Sequence, residues 1–202
     1  MDPHSHCVEG VHASNVTVKV GSEKIDRGVL RRAARIIMHE EYIHKEDDGL
    51  ANIQNDIAVV EVEKPFPLND FTIKAARLAT QETDIPPGKH VTAVGWGYIG
   101  ENKTTDILQK VNLEIMNIRQ CKKYIRPTIP IDRRVVCTLP RLNGKGTCEG
   151  DSGGPLISDG MVVGITSFGG ENCIPVAYPS VYTKVAYFRD WIRRKTGLRK
   201  IM

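Results

Sequence analysis

Polar and apolar residues alternate over short stretches through most of this chain. Val16, Val18 and Val20 are separated by Thr17 and Lys19, and Val91-Thr92-Ala93-Val94 and Leu113-Glu114-Ile115 follow the same period of two. That period puts alternate side chains on one face of a strand. Ser158-Asp159-Gly160 stands between the apolar runs Leu156-Ile157 and Met161-Val162-Val163, the spacing of a hairpin turn. A helical period is clear only at the end. There Val185, Phe188, Trp191 and Ile192 share one face, while Arg189, Asp190, Arg193 and Arg194 fall mainly elsewhere. The pattern predicts an all-β chain with a C-terminal helix, without internal repeats or low-complexity tracts.

Composition narrows the reading further. With 202 residues, 41% of them hydrophobic and 26% charged, the chain can bury one sizeable core and has no disorder signature. The excess of basic over acidic residues gives a net charge of +4, too weak to imply a nucleic-acid partner. Arg31-Arg32, Arg133-Arg134 and Arg193-Arg194-Lys195 lie far apart in sequence and read as solvated surface rather than as a polyanion-binding patch. No apolar run is long enough to cross a bilayer as a helix, so no membrane partner is expected. Five cysteines suit an oxidising compartment. The sequons Asn15-Val16-Thr17 and Asn102-Lys103-Thr104 agree with secretion.

The candidate chemistry is concentrated in Gly150-Asp151-Ser152-Gly153-Gly154-Pro155-Leu156. Glycines around a serine allow a tight turn and close approach by a substrate, and the N–H groups of Gly150 and Ser152 can face a developing oxyanion. A serine hydroxyl needs a histidine base and a carboxylate that orients it. Every histidine precedes Ser152, which excludes the α/β-hydrolase order of serine, acid, histidine. Two orders stay open on this ground: histidine, aspartate, serine; or aspartate, histidine, serine, with Asp56 before His90.

The flanking residues favour the first order. His6-Cys7-Val8, Asn55-Asp56-Ile57-Ala58, Gly95-Trp96-Gly97 and Pro179-Ser180-Val181-Tyr182-Thr183, together with the Ser152 turn, resemble successive landmarks of the chymotrypsin/trypsin-type serine proteases, from about His6 to the C-terminus. The resemblance implies one protease domain over 1–202, built as two packed antiparallel six-stranded-type β-barrels, the first incomplete here and the second running from about Lys110. It implies Ser152 as nucleophile, His6 as general base and then acid, Asp56 as the carboxylate that fixes the imidazole, and Gly150 and Ser152 as the oxyanion hole.

By the same resemblance Gly146 lies at the floor of the substrate pocket, where relatives that cleave after Lys or Arg carry aspartate. Ser167, Phe168, Gly169 and Ser180 line the walls, Thr147 stands beside the floor and Glu149 at the rim. Residues 167–169 would also pair with the substrate backbone as an added strand. A neutral, fairly open pocket implies cleavage after Phe, Tyr, Leu or Met in preference to Ala or Val. The resemblance pairs Cys121 with Cys137 and Cys148 with Cys173, leaving Cys7 unpaired.

Neither cofactor nor metal is implied. The stretch matching the family's calcium loop, 21–35, carries Arg27, Arg31, Arg32 and Arg35 against Glu23 and Asp26. Pro179 stands where sodium-regulated relatives carry an aromatic residue. The expected partners are protein or peptide substrates and protein inhibitors, acting on a secreted monomer. Activated members of the family begin with Ile or Val followed by Val-Gly-Gly, whose freed amine pairs with the aspartate here numbered Asp151. The sequence given has no such segment, so the expectation is of little endopeptidase activity in this chain as it stands. The competing expectation is a non-catalytic homologue that binds a partner.

Overall fold

The computed structural model describes residues 7–47, 50–69, 71–81, 83–100, 103–125, 127–139, 146–169 and 178–198. Twelve strands form within them. The N-terminal half contributes β1 (Thr17–Val20), β2 (Val29–Met38), β3 (Ile43–Asp47), β4 (Leu50–Gln54) and β5 (Ala58–Val62). The C-terminal half contributes β6 (Arg77–Leu78), β7 (His90–Gly95), β8 (Gln109–Met116), β9 (Val135–Thr138), β10 (Pro155–Ser158), β11 (Met161–Phe168) and β12 (Ser180–Lys184).

Six of these strands close on themselves. The order β10-β7-β8-β9-β12-β11 is completed by antiparallel pairing of β11 with β10, which leaves no open edge among the six; short β6 adds in parallel to β11. The alternation read at 91–94 is the reason β7 fits. Val91 and Ala93 are buried in the barrel core, where they join Leu156, Val163 and Tyr182, while Thr92 reaches Asn112 across the strand pair. Burying side chains such as Leu156 and Tyr182 stabilises the fold by about 1.5–3 kcal/mol each. The barrel starts earlier than the boundary at Lys110 expected from the sequence. His90–Gly95 belongs to it, because β7 pairs along its length with β8 and also meets β10.

The expectation of two packed barrels is met in part. Among the described residues the N-terminal half forms a three-stranded sheet, β1-β2-β5, and a separate β3-β4 hairpin. The turn at Asp159-Gly160 is a two-residue loop in which both residues have positive φ, 48° and 72°, the geometry that matches strand twist in tight hairpins.

Helix α1 (Ile118–Tyr124) was not anticipated from the apolar period. It is only seven residues long and fully buries only Cys121, so the pattern is too short to read; the signal present was the N-cap, where Asn117 Oδ1 accepts the Arg119 N–H at 2.8 Å. Helix α2 (Val185–Thr196) buries Val185, Ala186, Phe188 and Trp191 and ends at Gly197 in the left-handed region. Phe188 and Trp191 form a core with Ile57, so α2 joins the barrel to the N-terminal sheet.

Candidate active site

The Ser152 turn is fastened to β11 by its backbone. Gly153 N–H donates to Thr166 O at 2.9 Å, Thr166 N–H donates to Gly154 O at 2.8 Å, and Gly154 N–H closes the turn on Asp151 O at 2.9 Å. Gly150 and Gly153 have φ of 86° and 77°, a region costly for residues with a Cβ, which explains the glycines on both sides of Ser152.

The neighbouring Asp151 carboxylate is held from two directions. Gly97 N–H reaches Oδ1 and Cys148 N–H reaches Oδ2, each at 2.9 Å. The Gly95-Trp96-Gly97 landmark therefore has a physical reason: a Cβ at Gly95 would overlap Asp151 Oδ1, and one at Gly97 would sit 2.6 Å from the Asp151 carboxyl carbon. Trp96 in turn donates its indole N–H to Glu23 O at 2.9 Å.

Asp56 is buried at the end of the N-terminal half, and the barrel grips it. Ser167 Oγ donates to Asp56 Oδ2 at 2.6 Å, and Thr183 Oγ1 donates to the Asp56 backbone carbonyl at 2.8 Å. Ser167 sits at a bulge: Thr166 pairs with Tyr182 and Phe168 with Val181, which leaves Ser167 out of the register. Before Asp56, Asn55 adopts φ of 50° and donates its side-chain amide to Glu41 O at 2.7 Å. Arg134, paired with Asp132, reaches the side-chain oxygens of Gln54 and Asn55 at 3.3 and 3.4 Å.

His6 lies outside the described residues. The next residue, Cys7, is a free, half-buried thiol, and its pKa is pushed up to about 11 by burial and then by the Asp56 charge. Cys7 is thus within electrostatic reach of Asp56. Asp56, Ser167 and the Ser152 turn are linked through β11.

Among the residues expected to form the substrate pocket, Thr147 and Ser180 come together. Thr147 Oγ1 donates to Ser180 Oγ at 3.1 Å and lies 3.3 Å from the Tyr182 hydroxyl, a third member that the sequence reading missed. Gly169 packs beside Ser180, since a Cβ there would stand 3.7 Å from Ser180 Oγ. Gly146 lines a cavity of about 460 Å³ together with Thr147 and Asp151. Glu149 is exposed and accepts the Tyr98 N–H at its carbonyl; Phe168 is half-buried at the end of β11. Cys121 and Cys137 form a disulfide, and Cys148 is disulfide-bonded, whereas Cys173 lies outside the described residues, as does Asn102. The described residues contain no cluster of three or more His, Cys, Asp or Glu side chains able to hold a metal ion.

Comparisons with known proteins converge on one family. The trypsin family model matches residues 5–192. Trypsin eta of Drosophila melanogaster is 36% identical over 197 residues, covering 95% of this chain and 71% of the relative. The vitellin-degrading protease of Bombyx mori is 32% identical, covering 96% and 72%. Among solved structures, mouse neuropsin, a serine protease expressed in the limbic system of the brain, superposes with a TM-score of 0.82 at 26% identity, covering 96% of this chain and 83% of that one.

Proposed function

Because the chain belongs to the trypsin family of serine endopeptidases, we propose that it hydrolyses peptide bonds through His6, Asp56 and Ser152, with a neutral pocket that takes a large apolar side chain. The observation that carries this reading is the placement of Asp56, buried and bonded by Ser167 from the strand that also fastens the Ser152 turn. In the reaction Ser152 Oγ adds to the substrate carbonyl while His6 accepts its proton. The oxyanion faces the N–H groups of Gly150 and Ser152. Collapse breaks the C–N bond, His6 gives the proton to the leaving amine, and water then releases the acyl group by the same steps in reverse.

Selectivity follows from what the pocket lacks. Gly146 brings no carboxylate, and the described hydroxyl cluster of Thr147, Ser180 and Tyr182 is uncharged. A buried Lys or Arg left without a partner costs several kcal/mol, so apolar side chains are preferred by at least about 10²-fold. Secretion is supported by the Cys121–Cys137 disulfide.

The test combines covalent labelling of Ser152 by a fluorophosphonate probe with cleavage of a peptide library, in the protein and its Ser152→Ala variant. Ser152-dependent labelling is expected, with cleavage after Phe, Tyr, Leu or Met that is slow, in keeping with the little endopeptidase activity expected of this chain as it stands. Cleavage predominantly after Lys or Arg would remove Gly146 from the pocket floor. Absence of both labelling and hydrolysis would overturn the enzymatic reading in favour of a binding homologue.

A further inference from the structure

Two of the three basic clusters that lie far apart in sequence meet in the folded chain, at a cleft of about 1170 Å³ beneath α2. Lys122 of α1, Arg133 before β9, Lys184 at the end of β12 and Arg194 of α2 all line it. None of Asp56, Gly146, Ser152 or Ser180 does. The cleft's three carboxylates each have a cation: Asp84 is paired with Lys184 at 2.8 Å, Asp132 with Arg134 at 2.7 Å and Asp190 with Arg193 at 3.2 Å. Lys122, Arg133 and Arg194 have no carboxylate within salt-bridge distance among the described residues. Arg133 instead lies over the Tyr187 ring, 5.3 Å from its centre.

We propose that this cleft docks an acidic peptide segment carrying a large apolar side chain. The three cations, none of them in an ion pair among the described residues, attract carboxylates, and the apolar lining, to which Ile118, Val135 and Tyr187 contribute, receives the apolar residue. A uniformly sulfated polysaccharide fits less well, because it would meet Asp84, Asp132 and Asp190 at intervals and leave the apolar surface unused. A peptide places its acids only where the cations stand.

The experiment measures fluorescence anisotropy of a labelled peptide of Asp and Glu residues around a central Phe, titrated with the Ser152→Ala protein so that the probe survives. Saturable binding is expected. Arg133→Glu combined with Arg194→Glu should weaken it at least about tenfold, and replacing the probe's Phe by Ser should weaken it as well. The same charge reversal at Arg31 and Arg32, which do not line the cleft, should leave binding unchanged; circular dichroism verifies folding of both variants. The proposal is overturned by absent binding, by unchanged binding in the Arg133 and Arg194 variant, or by equal weakening from the Arg31 and Arg32 variant, which would mean attraction to net charge alone. Heparin binding more tightly than the peptide through Arg133 and Arg194 would also overturn it.

Discussion

Ser167 shows how a side chain that a motif marks can make a contact the motif does not reveal. The sequence places it on a pocket wall, whereas the fold turns its hydroxyl onto Asp56 at 2.6 Å. The cause is a bulge, and a bulge depends on pairing with β12, which no local pattern reveals. Under the proposed mechanism Ser167 is a positioning residue that acts through Asp56. Losing a hydrogen bond to a charged group costs about 1.5–3 kcal/mol, of which the part felt at the transition state sets the rate. Ser167→Ala should lower kcat about tenfold with little change in KM, and Ser167→Thr should restore most of it; a loss confined to KM would return Ser167 to the pocket wall alone. Gly97→Ala should be harsher, since the added methyl meets the Asp151 carboxyl carbon at 2.6 Å and Glu149 O at 2.6 Å. The turn must then shift. Ser152 labelling should fall by at least about 10²-fold, as a displacement of about 1 Å suffices for such a loss, while the circular dichroism of the barrel persists.

At the scale of elements, α2 is the connector whose face the sequence displayed most clearly. Its apolar side contacts the end of β2 through His39, whose ring lies 5.3 Å from Phe188 and 5.1 Å from Trp191, and through Glu40, which accepts the Trp191 indole N–H at 2.8 Å and pairs with Lys195. Burial holds the His39 pKa below 6.5; Glu40 and Glu41 push it up, and Lys195 and Arg194 push it down. The depressed pKa means that the unfolded chain binds a proton first on acidification. The stability contributed by neutral His39 is complete above about pH 6.5 and is lost as pH falls through its folded pKa. Glu40, held at about 2 mainly by its bond with Lys195, does not titrate in that window. Urea unfolding at about pH 7.5 and about pH 5 should therefore show a larger loss for the parent than for His39→Gln. Equal losses would mean that His39 titrates alike in the folded and unfolded chain. The short α1 escaped the sequence reading for the opposite reason, having a cap and one fully buried side chain but too little length to show a period.

At the scale of the whole molecule, the two halves are unequal in how much they bury, and this bears on what the sequence could show. Alternation made β1, β7 and β8 legible, and turn chemistry made the β10-β11 hairpin legible. Closure was not, since it joins β7 to β10 and β9 to β12 across long separations. The proposed site was legible as motifs, but the contacts that join its segments were not: Thr183 on the Asp56 carbonyl and Arg134 on Gln54 and Asn55 span 79 to 127 residues. These joints also carry a dynamic consequence. The barrel core contains Val91, Ala93, Ile115, Leu156, Val163 and Tyr182, whereas in β1 and β2 only Ala33 is fully buried. Few buried contacts and exposed strands lower the free energy of local opening. Amides of β1, β2 and β5 should exchange with solvent faster than those of β7, β8 and β10–β12, with Ile57 slower than the rest of the N-terminal half because it packs on Phe188 and Trp191. Hydrogen exchange followed by mass spectrometry or NMR reads this directly, and uniform protection across both halves would show that Asp56, Arg134 and α2 bind them into one cooperative unit.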